Sequence, residues 1–240
     1  MRLTLTARAP LSGSLRRRLV ALGLTLVLAP SGPLVGQTHV SLPTADGGVV
    51  QGDLYGAGAR GIVLAPGARF ERGSWAPQAA VLADTGFRVL AIDYRGRGGS
   101  RGGSEGRNGE RLDVLAAVRY LRHQGLESVS VLGASFGGGA AARAAIDAAP
   151  GEIDRLILLA AVPVEHPERI QARKTLFVVA RGDTLGSGVP RLVGIRKQYQ
   201  AAPDPKRLVI LDGSAHAQYL FRTDQGPRLL DEIIAFLREP

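Results

Sequence analysis

Short apolar segments alternate with helical stretches from His39 to the end of the chain. Most of these segments are apolar at every position, so they lack the in-and-out alternation of a strand with one wet face. Fully apolar strands that are separated by helices are typical of a parallel sheet covered on both faces. The predicted strands are 39–42, 49–55, 62–65, 87–92, 129–132, 156–160, 175–180 and 208–211. The pattern predicts one doubly wound α/β domain over residues 38–240, with a mostly parallel sheet and helices on both faces.

The predicted helices fall between these strands, and the first two strands form an exception to the alternation. Six residues, 43–48, separate strand 39–42 from strand 49–55, and the last five of them read T-A-D-G-G. Asp-Gly supplies the positive φ that a tight turn needs, so we expect a hairpin there. The predicted helices are 76–85, 110–123, 137–148, 190–199 and 228–237.

Residues 1–37 differ in composition from the rest of the chain, because they hold five arginines and no acidic residue. Arg16, Arg17 and Arg18 precede ten uncharged, mostly apolar residues at 19–28. A basic start followed by a short apolar segment is the organisation of a secretory signal peptide, and a bilayer span needs about 20 apolar residues. We therefore expect an exported protein, periplasmic or extracellular. The alternatives are a retained N-terminal membrane anchor and a wrongly assigned start codon.

A net charge of +9 would be compatible with a nucleic-acid partner, but the N-terminal segment accounts for five of those charges. The remaining +4 is typical of a mildly basic, solvated surface, and we expect no nucleic-acid partner. The chain has no cysteine. This excludes disulfides, thiolate metal sites and a cysteine nucleophile. Nothing in the sequence indicates a metal or an organic cofactor.

The segment Gly133–Gly137 reads G-A-S-F-G and joins the strand 129–132 directly to the helix 137–148. A G-x-S-x-G segment in that context forms a sharp elbow that strains the serine backbone and exposes its hydroxyl above the sheet. Ser135 is therefore the candidate nucleophile. The alternatives are an ordinary glycine-rich turn and a phosphate-binding loop at a helix N-terminus. A Walker loop would also require Gly-Lys-Ser or Gly-Lys-Thr, which is missing.

With this motif, the chain resembles the α/β-hydrolase family over about residues 45–240, and in particular its compact, cap-less serine esterases and dienelactone-hydrolase-like members. The family implies an acid after a later strand and a histidine after the last strand. Asp183 follows strand 175–180, and His216 follows strand 208–211. The resemblance thus implies a triad of Ser135, His216 and Asp183. Asp212 is the rival acid. The other histidines do not follow the last strand: they are His39, His123 and His166.

The segment Ile62–Phe70 matches the family's loop after its third strand. The resemblance implies an oxyanion hole formed by the N–H groups of Ala68 and Phe136, with Arg69 N–H as the alternative donor. A second loop, Asp93–Gly102, resembles the family's D-x-R-G-x-G-x-S segment, in which we expect Asp93 and Arg95 to have structural roles. Its other arginines, together with Arg69, motivate a hypothesis of anionic substrates: they are Arg97 and Arg101.

Residues 161–174 separate two predicted strands at the place where many members of this family carry a cap domain. Fourteen residues suffice only for a loop, so we expect no cap and an open site. Ser135 argues against epoxide hydrolases and haloalkane dehalogenases, which use aspartate at the elbow. The resemblance implies a serine hydrolase that acts on a small-molecule ester through an acyl-enzyme. The alternatives are a peptidase or acyltransferase with the same triad and a non-catalytic binding protein.

Overall fold

A computed structural model describes residues 36–240 of the chain. The leader predicted over residues 1–37 lies outside the described residues, apart from its last two. The strands are β1 (Thr38–Pro43), β2 (Val49–Tyr55), β3 (Arg60–Ala65), β4 (Phe87–Ile92), β5 (Ser128–Ala134), β6 (Arg155–Leu159), β7 (Lys174–Ala180) and β8 (Lys206–Leu211). The α-helices are α1 (Ala76–Asp84), α2 (Glu110–His123), α3 (Phe136–Asp147), α4 (Arg191–Ala201) and α5 (Gly226–Arg238). Short 3₁₀ helices cover Arg72–Trp75, Gly106–Gly109, Pro167–Arg169 and Ala217–Arg222.

All eight strands form one sheet in the order β1-β2-β4-β3-β5-β6-β7-β8. The six strands from β4 to β8 along this order are parallel, and the β1–β2 hairpin adds two antiparallel strands at one edge. Gly47, with φ of 84°, forms the hairpin turn. The central strand β3 explains the missing alternation, since Ile62, Val63 and Leu64 are all fully buried. The predicted doubly wound, mostly parallel sheet is confirmed.

Helices cover both faces of the sheet because its crossovers run in two directions. The step from β3 to β4 goes one way along the sheet, and the steps to β5, β6 and β8 go the other way. Right-handed crossovers then place α1 on one face and α2, α3 and α4 on the opposite face. The end of α5 lies near the end of α1, since Arg238 Nη2 donates to the carbonyl of Thr85 at 3.0 Å. Across residues 36–240, no helix combines the length and the apolar character that crossing a bilayer requires.

The loop after β4 is held by a buried ion cluster around Arg95. Its Nη2 lies 2.7 Å from Asp113 Oδ1 and its Nη1 lies 2.8 Å from Asp46 Oδ2. All three side chains are at most 4% exposed. The hydrogen bond from Arg95 lowers the pKa of Asp46, whereas burial raises the pKa of Asp113 against the opposing effect of the same guanidinium. Arg95 thus joins the β1–β2 turn and α2 to this loop.

Replacing Arg95 by methionine is expected to lower the free energy of unfolding by about 3–5 kcal/mol, because two carboxylates stay buried without their counter-charge. For a domain of this size the melting temperature should fall on the order of 10 °C. The Asp46 contribution is present above the pKa of its unfolded form, about 3.9, and is lost as the pH falls through the lower folded value. Urea unfolding at pH 7 measures the loss. Arg101→Met, at an exposed side chain, is the control, and an equally small effect of both changes would contradict this account.

Candidate active site

Ser135 occupies a sharp turn between β5 and α3. Its φ of 51° and ψ of −114° fall in a region that residues other than glycine seldom adopt. Hydrogen bonds hold the strained backbone on both sides: Ser135 N–H donates to the carbonyl of Leu159 at 2.9 Å, and Ser135 C=O accepts from Val162 N–H at 3.0 Å. The elbow is therefore fixed by the segment that begins at the end of β6, and the Ser135 hydroxyl projects from a rigid turn.

Glycines allow the backbone to pass through this elbow. A Cβ atom at Gly133 would lie 2.5 Å from the carbonyl oxygen of Gly137, and one at Gly137 would lie 2.5 Å from the carbonyl oxygen of Ala65. Both distances are shorter than van der Waals contact, so a side chain at either position would force the backbone apart. The loop after β3 also packs on the elbow, because a Cβ atom at Gly67 would be 3.6 Å from the carbonyl oxygen of Ala134.

Three loops at the carboxyl edge of the sheet bring Ser135, His216 and Asp183 into one hydrogen-bonded line. His216 Nε2 lies 2.7 Å from Ser135 Oγ, and His216 Nδ1 lies 2.7 Å from Asp183 Oδ2. The carboxylate can only accept, so it assigns the ring proton to Nδ1 and leaves Nε2 as the acceptor of the serine proton. The Asp183 side chain is 2% exposed and that of His216 is 28% exposed. This arrangement can transfer a proton away from the hydroxyl while the carboxylate stabilises the imidazolium.

The second oxygen of the Asp183 carboxylate faces a cation that the sequence did not single out. Arg191 Nε lies 3.3 Å from Asp183 Oδ1, and the Arg191 N–H donates to the Asp183 carbonyl at 2.9 Å. Arg191 is the first residue of α4, so the helix start fixes the loop that carries the acid. The rival acid, Asp212, forms its ion pair with Arg181 at 3.9 Å and its side chain is 73% exposed.

The loop after β3 and the first residue of α3 each supply one backbone donor near the elbow. A β-turn over Gly67–Phe70 is closed by the Phe70 N–H, which donates to the Gly67 carbonyl at 2.9 Å. Ala68 is the second residue of this turn, and Phe136 is the first residue of α3, where an N–H has no acceptor within the helix. Within residues 36–240 neither N–H donates to a protein acceptor. Both N–H groups, like the Arg69 N–H, are therefore free in this part of the chain to bind a ligand oxygen.

Gln218 is a second residue that sequence reasoning missed. Its side chain is buried, its Oε1 accepts from Gly67 N–H at 2.8 Å, and its Nε2 donates to Ser74 Oγ at 2.8 Å. It thereby connects the segment after His216 to the oxyanion loop. No local pattern identifies such a contact, since it joins residues 151 positions apart in the chain.

The three remaining histidines lie outside this hydrogen-bonded line. His39 Nδ1 lies 3.1 Å from Asp53 Oδ1, and His166 Nδ1 lies 3.1 Å from Glu168 Oε1. His123 ends α2 and is exposed. In the described part of the chain, no three His, Asp or Glu side chains are grouped closely enough to hold a metal ion.

A polar cavity of about 580 Å³ lies beside Phe136, and Tyr94, Arg97 and Glu110 line it. Of the three arginines considered for anionic substrates, only Arg97 is in this lining, and it also donates to the carbonyl of Ala68. Arg69 and Arg101 are exposed.

A family model described as "alpha/beta hydrolase fold" matches residues 62–193. A non-heme haloperoxidase from Rhodococcus erythropolis is 33% identical over 109 residues, which are 45% of this chain and 39% of that protein. The match thus spans well under two thirds of that relative.

Two solved structures are similar in fold at low sequence identity. An esterase from Pyrococcus furiosus has a TM-score of 0.68 at 17% identity, and the match covers 85% of this chain and 90% of that one. A bromoperoxidase from Bacillus anthracis has a TM-score of 0.69 at 16% identity, with 84% and 100% covered. Because the family model matches more than half of the chain, this protein belongs to the alpha/beta hydrolase fold family.

Proposed function

We propose that this protein is a serine hydrolase that cleaves carboxylic esters of small molecules through an acyl-enzyme. The observation that carries the proposal is the hydrogen-bonded line from Ser135 through His216 to Asp183, with both contacts at 2.7 Å. A serine hydroxyl is a weak nucleophile at neutral pH, and a neighbouring imidazole that an acid orients is the usual means of activating it.

In the first half of the proposed reaction, Ser135 Oγ attacks the ester carbonyl carbon while His216 Nε2 takes its proton. The carbonyl oxygen becomes an oxyanion that accepts hydrogen bonds from Ala68 N–H and Phe136 N–H. When the tetrahedral intermediate collapses, the bond to the alcohol oxygen breaks, and the alcohol leaves with the proton from His216. In the second half, water gives its proton to His216, attacks the acyl carbon and displaces Ser135, which regains its proton as the acid is released.

The Asp183 carboxylate contacts a different residue with each of its two oxygens. Its Oδ2 orients His216, and its Oδ1 faces Arg191. A carboxylate that is held at both oxygens presents a fixed acceptor to the imidazole, which maintains the tautomer that the first proton transfer requires.

The short segment between β6 and β7 is an argument for substrates with short acyl groups. Among its residues, only Pro167–Arg169 are helical, so this segment forms no cap over the elbow. Each methylene that an enclosed pocket buries would contribute about 0.8 kcal/mol, or roughly fourfold in kcat/KM. An open site lacks that gain. The fold therefore favours small acyl groups over long ones.

We expect p-nitrophenyl acetate and butyrate to be hydrolysed with kcat/KM at least tenfold above that of the palmitate ester. The kcat/KM of each ester is measured with the ester below its critical micelle concentration, so that every substrate is monomeric. The matching butyryl p-nitroanilide tests the peptidase and amidase alternative, and slower turnover of the anilide than of the ester supports the proposal. A kcat/KM that rises steadily to palmitate would contradict the open site, and preference for the anilide would contradict ester hydrolysis.

A further inference from the structure

We propose that Gln218 is a positioning residue that aims the Ala68 N–H at the oxyanion. The inference rests on the proposed function and goes beyond it, because it assigns a catalytic effect to a side chain that touches neither the substrate nor Ser135. Gln218 acts through Gly67, whose N–H donates to Gln218 Oε1 at 2.8 Å.

The backbone turns after His216, so that the side chains of His216 and Gln218 contact two different loops. Ala217, between His216 and Gln218, has a φ of 50° and is 2% exposed. A left-handed conformation is unfavourable for a residue with a Cβ, so packing must hold it there. The turn directs His216 to Ser135 and Gln218 to Gly67. One short segment thus fixes both the base and the oxyanion loop.

Neighbouring hydrogen bonds determine which end of the Gln218 amide faces Gly67. Ser74 Oγ donates its proton to the carbonyl of Glu71 at 2.6 Å, so this oxygen can only accept from Gln218. The Gln218 Nε2 therefore points to Ser74, and its Oε1 points to the Gly67 N–H. The amide has a single satisfied orientation in a buried position, where an unpaired N–H would be unfavourable.

The orientation of Ala68 N–H follows from how Gly67 is held. Gln218 fixes the N–H of Gly67, and the Phe70 N–H fixes its carbonyl at 2.9 Å. The Phe70 ring also packs on Tyr219, the residue after Gln218, with ring centroids 5.1 Å apart. Glycine has the widest backbone freedom of any residue, so a released Gly67 would let the next N–H change direction. These contacts make the turn rigid before substrate binds.

The test is Gln218→Met, which keeps the length of the side chain and removes both hydrogen bonds. Misplacing a catalytic group by about 1 Å costs about 100-fold, and losing one oxyanion donor costs 100- to 1,000-fold. We expect kcat for p-nitrophenyl butyrate to fall by about 10- to 100-fold with KM within about threefold of wild type. Inhibition by an alkyl trifluoromethyl ketone should weaken by the same factor, since its adduct with Ser135 also carries an oxyanion.

Gln198→Met is the matched control. Gln198 is also a buried glutamine whose Oε1 accepts a backbone N–H, from Val164 at 3.2 Å, but it does not touch the oxyanion loop. It loses one side-chain hydrogen bond where Gln218→Met loses two, and it should change kcat by less than about threefold. An equal loss of kcat in both variants would overturn the inference.

A double variant separates an effect through Ala68 from one through His216. Ala68→Pro removes the donor, and proline is favoured at the second position of a β-turn, so the turn is kept. If Gln218 acts through Ala68, adding Gln218→Met to Ala68→Pro lowers kcat by less than about threefold further. If the two losses multiply, Gln218 acts elsewhere and the inference fails.

Wild-type activity distinguishes failure of the proposed function from failure of the role assigned to Gln218. An inactive, folded wild type would overturn the proposed function together with this inference. An active wild type whose Gln218→Met variant keeps both its kcat and its affinity for the ketone would overturn the inference alone.

Discussion

Ser135→Ala is expected to lower kcat for p-nitrophenyl butyrate by about 10⁴- to 10⁶-fold, because the variant has no atom that can form the acyl-enzyme. The residual rate would come from the backbone donors and from binding alone. The fold should survive, since alanine keeps the Cβ and the backbone hydrogen bonds of Ser135 to Leu159 and Val162. We therefore expect a melting temperature within about 4 °C of wild type. Steady-state kinetics and circular dichroism measure the two quantities.

Ser214→Ala is the matched control for that change. Ser214 is exposed and lies two residues before His216, so it is a serine in the same region without a contact to the base in the described residues. It should keep kcat within about threefold of wild type. Full activity of Ser135→Ala, or equal losses in both variants, would contradict the assignment of the nucleophile.

Asp183→Asn is expected to lower kcat by about 10⁴-fold, because an amide in place of the carboxylate favours the wrong tautomer of His216 and gives the imidazolium no counter-charge. KM should change far less than kcat, since Asp183 is buried and does not face the substrate. The change also leaves Arg191 without its carboxylate partner, so some loss of stability is expected. The pH dependence of kcat/KM and a thermal unfolding curve separate these effects.

The sequence offered a second acid, and the same experiment decides between the two. Asp212→Asn removes a carboxylate that is 73% exposed and lies 3.9 Å from Arg181. It should leave kcat within about threefold of wild type. A large loss in Asp212→Asn combined with a small one in Asp183→Asn would contradict the proposed triad.

The strand pattern and the elbow could be predicted because both depend on short segments of sequence. A strand buried on both faces needs apolar residues at every position, as in β3, and the turn at Ser135 needs small residues at 133 and 137. Chain order then suggested which acid and which histidine to compare, since loops that follow parallel strands meet at one edge of the sheet.

Contacts between distant loops were not predictable in this way. Gln218 binds a peptide 151 residues earlier in the chain, and Arg191 meets Asp183 through the start of a helix. Only the folded backbone brings these partners together. For the same reason the sequence left Ala68 and Arg69 open as oxyanion donors. The β-turn over Gly67–Phe70 does not decide between them, because the N–H groups of both its inner residues lack a protein acceptor among residues 36–240.

Covalent labelling of the folded protein by a fluorophosphonate, followed by intact-mass and peptide analysis, tests the central claim most directly. The account predicts one adduct per chain, located on Ser135, that is absent from Ser135→Ala and slowed at least 100-fold in Asp183→Asn. Labelling requires an activated hydroxyl and makes no assumption about the natural ester. A folded wild-type protein that remains unlabelled, or one that is labelled at another residue, would contradict the account.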